Sequence, residues 1–316
     1  MVRSNPTAWT KPDSNGDRWP EWKAKYDYNW MMKDKVWDIY YQDVVSWKPK
    51  FQARQIDADF SGGKVNEAKT IYKAWRQAHN DHWKKMRQLR PDVMVVGNIN
   101  WYLQHHDKGV LNMPLYEQQI EGGILEHVMH WTHSVEAKEG WHTLRQWYSW
   151  SMGYMKDPKL VIFNVYGDPS DYRFFRYAFA TCLMDDGYFD FSPEGRYNFG
   201  TVQWFDEFDL AGTAGPDWMG RAVSPPQMTA WKNGVFRRDF ENAVVLVNPR
   251  GNGARTINLE PGLVRIKGSQ DATVNNGKAA SSVRLLDGDG IILRRTTSAA
   301  APAAAAAPIP PELTVQ

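Results

Sequence analysis

Two carboxylates stand where apolar runs come to an end. Asp43 closes the run VWDIYYQD, and Glu126 stands near the end of GGILEHVM. Strand side chains alternate between faces. If Asp43 points inward, Tyr41, Ile39 and Trp37 share its face and Asp38 takes the other. By the same count Glu126 lies with Ile124, while His127 points outward. On VVGNIN, Asn98 and Asn100 share a face with Val96; on VIFNVYGD, Asn164 and Tyr166 share a face with Ile162; GYFDFS contributes Asp190. Apolar strands that repeatedly finish in hydrogen-bonding groups are costly unless those groups have partners. A ligand is the simplest partner. Taken singly, a strand-end carboxylate more often caps or salt-bridges a neighbouring loop. Two of them on non-adjacent strands, with Asn and Trp nearby, favour chemistry: one as general acid and the other as nucleophile or base across a glycosidic bond.

The aromatic content points the same way. The chain carries 16 Trp, 14 Tyr and 13 Phe, and many of the Trp lie beside polar and turn residues. Flat rings stack on the apolar faces of pyranoses while polar groups bond the hydroxyls. Trp47, Trp101 and Trp131 follow strand ends and are the stacking candidates, each with loop packing as the plainer role. Asn98, Asn100, Asn164, Tyr166 and Asp190 are the candidates for sugar contacts. His127, His130 and His133 recur at intervals of three, but at a strand exit where equal spacing does not align the rings, so no metal is expected. His79 and His82, in HNDH, read as surface or helix-packing residues. The mechanism expected needs no cofactor.

The formal charge of +2, with basic residues interspersed among acidic ones, argues against nucleic acid. No apolar run reaches membrane-spanning length. The single cysteine, Cys182, sits in YAFATCLM and reads as a buried structural thiol. GNGAR and NNGK are hairpin turns, since neither joins a strand to a helix as a phosphate loop must.

The elements that must position these residues follow from periodicity. Five strand-like runs, VWDIYYQD, DVMVVGNIN, GGILEHVM, KLVIFNVY and GYFDFS, alternate with helical segments. Repeated β–α units imply parallel strands with right-handed crossovers. Two of the helical segments are AKEGWHTLRQWYSWSMGYMK and PSDYRFFRYAFATCLMDDG. The expected fold class is α/β, a (β/α) TIM-type barrel with functional residues at its carboxyl face. Five units fall short of a closed barrel, so the first strands are expected to be missing, with oligomerisation as a way to complete it. AVVLVNP, ARTINLE, LVRIKGS, SVRLLDG and GIILRR, separated by turn residues, predict a C-terminal antiparallel β-sandwich. The expected division is 1–34 loop and helix, 35–225 barrel, 226–296 β domain and 297–316 an Ala/Pro-rich tail or linker.

Several of these segments also resemble a known family. WDIYYQDVVSW, RPDVMVVGNINW, EGGILEHVMHW, FFRYAFATCLMDDGYFDFS, WFDEFDLAGTAGP and RRDFENAVVLVNP are similar, in kind and order, to hypothetical glycosyl hydrolase family 15, itself distantly similar to α-galactosidase and α-amylase type barrels. The resemblance covers about residues 20–295. It implies Asp43 at the fourth barrel strand as nucleophile and Glu126 at the sixth as acid/base, hence retention, and it departs from the family at the start, where strands one to three are lacking. The expectation is a glycoside hydrolase acting on an oligo- or polysaccharide and exported from the cell. The alternatives are a carbohydrate-binding protein with a degenerate barrel, and a metal-dependent hydrolase or deacetylase using the histidines.

Overall fold

The computed structural model describes residues 7–43, 45, 68–99, 119–130, 132–193 and 202–296. The chain divides into two units, Met1–Glu126 with Trp150–Phe163, and His127–Ser149 with Asn164–Gln316. Five strands form one sheet in chain order: β1 (Ile39–Gln42), β2 (Met94–Asn98), β3 (Gly122–Leu125), β4 (Leu160–Gly167) and β5 (Tyr188–Pro193). All five runs expected from periodicity are therefore strands.

In the first unit, β1, β2, β3 and the start of β4 pair in parallel, with Gln42 opposite Gly97, Asn98 opposite Ile124 and Leu125 opposite Phe163. The β2–β3–β4 surface is tight. A Cβ on Gly122 would stand 1.9 Å from the Leu160 carbonyl oxygen, so no larger residue fits there without moving the strands. Two helices, α1 (Trp19–Asp27) and α2 (Ala68–Leu89), pack on one another, and the Tyr40 and Gln42 side chains of β1 reach them. α2 buries Ile71, Trp75, Ala78, His82 and Met86, a stripe at helical spacing.

Alternation along β1 is clear: Tyr40 is 4% exposed, whereas Ile39 and Tyr41 are 41% and 45% exposed. Tyr40 donates its hydroxyl to Asp27 at 2.6 Å, and Lys23 and His82 also reach that carboxylate. Burial alone would raise Asp27; the bonds from His82, Lys23 and Tyr40 outweigh it and hold the carboxyl below its ordinary range.

One residue further along, Gln42 fixes the end of the strand. An indole can only donate, so Gln42 Oε1 accepts from Trp83 Nε1 at 2.7 Å, and its amide nitrogen then faces His79 Nδ1 at 2.7 Å. His79 is thus an acceptor at Nδ1. The HNDH histidines are buried helix-packing residues (the surface alternative does not hold): His82 lies on the α2 stripe beside Asp27, and His79 is buried next to it, facing Gln42.

In the second unit, helix α3 (Val135–Glu139) is capped by Ser134, whose Oγ accepts from Ala137 N at 3.2 Å. The continuous helix expected across AKEGWHTLRQ is divided, because Gly140 adopts a φ of 86° before α4 (Trp141–Tyr154) begins. Helix α5 (Tyr172–Cys182) starts at Asp171, which accepts from Phe174 N at 3.0 Å, and it is almost wholly buried. It ends on Cys182, a buried free thiol pushed up to about 12, chiefly by burial. A single turn, α6 (Asp206–Asp209), follows.

The remaining strands are antiparallel: β6 (Phe236–Asp239), β7 (Ala243–Asn248), β8 (Arg255–Asn258), β9 (Leu263–Arg265), β10 (Ser282–Leu285) and β11 (Asp289–Arg295). They make a four-stranded sheet, β6-β7-β11-β9, and a two-stranded one, β10-β8. Val244, Leu246, Ile291 and Leu293 of the first share a hydrophobic cluster with Ile257 and Val283 of the second. Strand β6 was not anticipated, since FRRD carries two arginines; Arg238 is nonetheless buried, giving its guanidinium to the Leu183 carbonyl at 3.1 Å and to Asp186.

The buried histidines make stability pH-dependent. Burial, then the neighbouring His82, lowers His79 to about 3, and burial lowers His82 as well. Below an unfolded value of about 6.5 the unfolded chain takes up a proton that the folded one refuses. Stability is therefore full above that pH and is lost as pH falls toward the folded value, with a limiting slope from His79 of about 1.4 kcal/mol per pH unit. Thermal melts between pH 7 and 5 should show Tm falling in the wild type and falling less in His79→Gln. Equal slopes would remove His79 from this account.

Candidate active site

Three strand ends of the first unit bring the expected pair together. Asp43 follows β1, Asn98 ends β2 and Glu126 follows β3. Asn98 Nδ2 donates to Asp43 Oδ1 at 3.1 Å and to Glu126 Oε2 at 2.9 Å. With carboxylates on both sides, the amide must present its NH2 to them, because its oxygen could only repel. The two acceptor oxygens can then be no more than about 6 Å apart, the two bonds laid end to end.

The backbone holds this arrangement. Val45 N donates to the Asn98 carbonyl at 3.0 Å, which carries β1–β2 pairing past the last strand residue. Gly97 leaves room for the buried Val45 side chain, which would lie 3.0 Å from a Cβ at that position. Gln42, pinned by Trp83 and His79, sets the direction in which the chain delivers Asp43.

Tyr41 is the site residue that sequence reasoning did not select. It shared the predicted face with Asp43, which was the available signal. Its hydroxyl lies 3.5 Å from Asp43 Oδ1. Burial first, then the negative charges of Asp43 and Glu126, push its phenol up to about 12, with an opposing bond from Asn98. The phenol therefore stays neutral and able to donate across the physiological range.

A contrasting carboxylate sits at the other end of β3. Glu121 bonds Arg87 at 2.9 Å, Lys156 at 3.0 Å and Val95 N at 2.7 Å, so its charge is neutralised and serves the fold. Asp43 is exposed and has no cationic partner among the described residues.

The second unit carries its own polar cluster. Asn164 is buried; its Oδ1 accepts from His127 N at 3.1 Å, and its Nδ2 donates to Asp190 and to Ser192 Oγ at 3.3 Å. Its amide is thereby committed to protein groups, leaving the exposed Asp190 as the accessible member. His127 does not follow the outward alternation expected of it. β3 stops at Leu125, and a φ of 55° at His127 turns its ring onto Tyr166, 4.5 Å between centroids. His130 likewise has a positive φ and packs on Phe174. Ser192 and His127 are further cluster members; Ser192 shares the face of Asp190 two residues before it, whereas His127, past the end of β3, could not be picked out by alternation. Trp47, Asn100, Trp101 and Trp131 lie outside the described residues.

The model of hypothetical glycosyl hydrolase family 15 matches residues 4–244. Among solved structures, Eubacterium rectale Amy13B is similar at a TM-score of 0.47 and 11% identity, over 89% of this chain and 64% of that one. This chain thus spans less than two thirds of that neighbour. No curated protein matches the sequence.

The electrostatic coupling can be read without a substrate. Asp43→Asn removes the nearer of the two charges that hold the Tyr41 phenol up. The phenol should then titrate below about 12, toward its ordinary value near 10. Carbon-13 NMR of ring-labelled tyrosine follows this directly, and an unmoved Tyr41 resonance would show that the two groups are not in contact.

Proposed function

The chain belongs to hypothetical glycosyl hydrolase family 15, and from that premise we propose that it hydrolyses glycosidic bonds of an oligo- or polysaccharide with retention of configuration. Asp43 is the nucleophile and Glu126 the acid/base. The observation that carries this reading is the Asn98 amide donating to both carboxylates. The two hydrogens of a planar NH2 diverge by about 120°, so one bond to each acceptor implies oxygens about 5 Å apart. Retaining pairs stand about 5–5.5 Å apart, and inverting pairs, which must admit a water, roughly 6.5–9.5 Å. The bound of about 6 Å favours retention.

In the first step an Asp43 oxygen attacks the anomeric carbon as the bond to the leaving oxygen breaks, and that oxygen takes the Glu126 proton. In the second, Glu126 takes a proton from water, the hydroxyl bonds to the same carbon, and the Asp43 ester bond breaks. Asn98 bonds the acceptors in both steps. Asp190, held by Asn164 and Ser192, is suited to bonding a sugar hydroxyl. The finer architecture belongs to the same proposal: parallel pairing of the strands supports a (β/α) barrel, and the cluster shared by the two antiparallel sheets supports a β-sandwich.

The test is a panel of aryl glycosides in both anomeric forms. Asp43→Asn should lower turnover by about a thousandfold or more. Glu126→Gln should release activated phenols in a burst and then stall, with azide restoring turnover, because the first step needs little acid help and the second needs the base. A wild-type chain that binds saccharides yet turns over none of the panel, with both variants binding equally, would mark a carbohydrate-binding protein instead.

A further inference from the structure

The two oxygens of Asp43 are not equivalent. Oδ1 accepts from Asn98 Nδ2 at 3.1 Å and lies 3.5 Å from the Tyr41 hydroxyl. Oδ2 accepts no hydrogen bond among the described residues. Tyr41 stands two residues before Asp43 on the same strand, so both side chains leave one face of β1. The opposite face is committed: Tyr40 bonds Asp27, and Gln42 bonds Trp83 and His79. The Tyr41 ring therefore stays beside the carboxylate, whose Oδ1 Asn98 also bonds.

We propose that Tyr41 is a positioning residue which, with Asn98, anchors Oδ1 of Asp43 and leaves Oδ2 as the atom that attacks the anomeric carbon. The inference rests on the hydrolase reading and deepens it. A carboxylate with one oxygen bonded to Asn98, and with the Tyr41 hydroxyl placed to close on the same oxygen when substrate binds, favours one orientation, so the lone pairs of Oδ2 keep one direction. When the ester forms, Oδ2 becomes the bridging oxygen and Oδ1 the carbonyl oxygen. The anchoring donors then stay on an acceptor throughout. When water displaces the sugar, the electron pair returns to Oδ2 and the carboxylate is restored, with no proton leaving Tyr41. The high phenol value fits that role: burial first, and then the neighbouring Asp43 and Glu126, keep the donor protonated.

Tyr41→Phe tests this with little change of volume, and at 45% exposure the ring contributes no buried polar group whose loss would unfold the chain. On an aryl glycoside that the wild type turns over, kcat should fall about 10- to 100-fold, the range expected for one hydrogen bond to a charged acceptor, with KM little altered. The acid limb of the kcat/KM profile should move to higher pH, since the carboxylate loses a donor that favours its charged form. A purely structural tyrosine would not move that limb. A trapped 2-deoxy-2-fluoroglycosyl ester in the wild type should be bonded through Oδ2, with the carbonyl oxygen facing Tyr41 and Asn98. An unchanged kcat and acid limb, or an ester through Oδ1, would overturn the assignment while leaving Asp43 as nucleophile. Absence of turnover in the wild type, with the Tyr41 phenol still responding to Asp43→Asn, would instead sink the hydrolase reading and this inference with it.

Discussion

A single side-chain amide, that of Asn98, holds two carboxyl groups in one place. Asp43 and Glu126 follow strands separated by β2, and the amide between them donates to one oxygen of each. An NH2 group is suited to the task because it is a neutral double donor of fixed geometry. A lysine there would add a positive charge between the two carboxyl groups. The remainder of the first unit serves this geometry: parallel register sets Asn98 opposite Ile124, the Val45–Asn98 backbone bond extends pairing, and Gln42 fixes the exit of β1.

The charges of this sheet are distributed unevenly along its strands. At the amino end of β3, Glu121 is surrounded by Arg87 and Lys156 and stabilises the fold. At the carboxyl ends, the donors to Asp43 among the described residues are neutral, Asn98 and Tyr41. The Asp27 cluster, shared by α1, α2 and β1, shows the structural use of the same residue type.

Much of this was legible in the sequence, for reasons that differ by residue. The five strands declare themselves because β-branched and aromatic runs are bounded by polar or turn residues, and alternation along IYYQD places Tyr41 with Asp43. Strand β6 was not legible, because FRRD looks like surface charge: Arg238 finds its partners far along the chain, at Leu183 and Asp186, and Arg237 pairs with Asp239 and the distant Glu260. The division at Gly140 was hidden by helix-favouring residues on both sides. His127 escaped because alternation fails where a strand ends, and its positive φ cannot be read from a period-two count. The role of Asn98 was legible only in part. Its place at a strand end is visible, but whether its amide meets sugar or two carboxylates depends on the neighbouring strands.

The most direct test of the account is the anomeric form of the first product. Proton NMR of a turned-over aryl glycoside, recorded before mutarotation, should show the same anomer as the substrate. That outcome requires a covalent Asp43 intermediate and agrees with carboxylates bridged by one amide. The opposite anomer would mean a water attacks directly, and the geometry at Asn98 would then be that of a different, wider site.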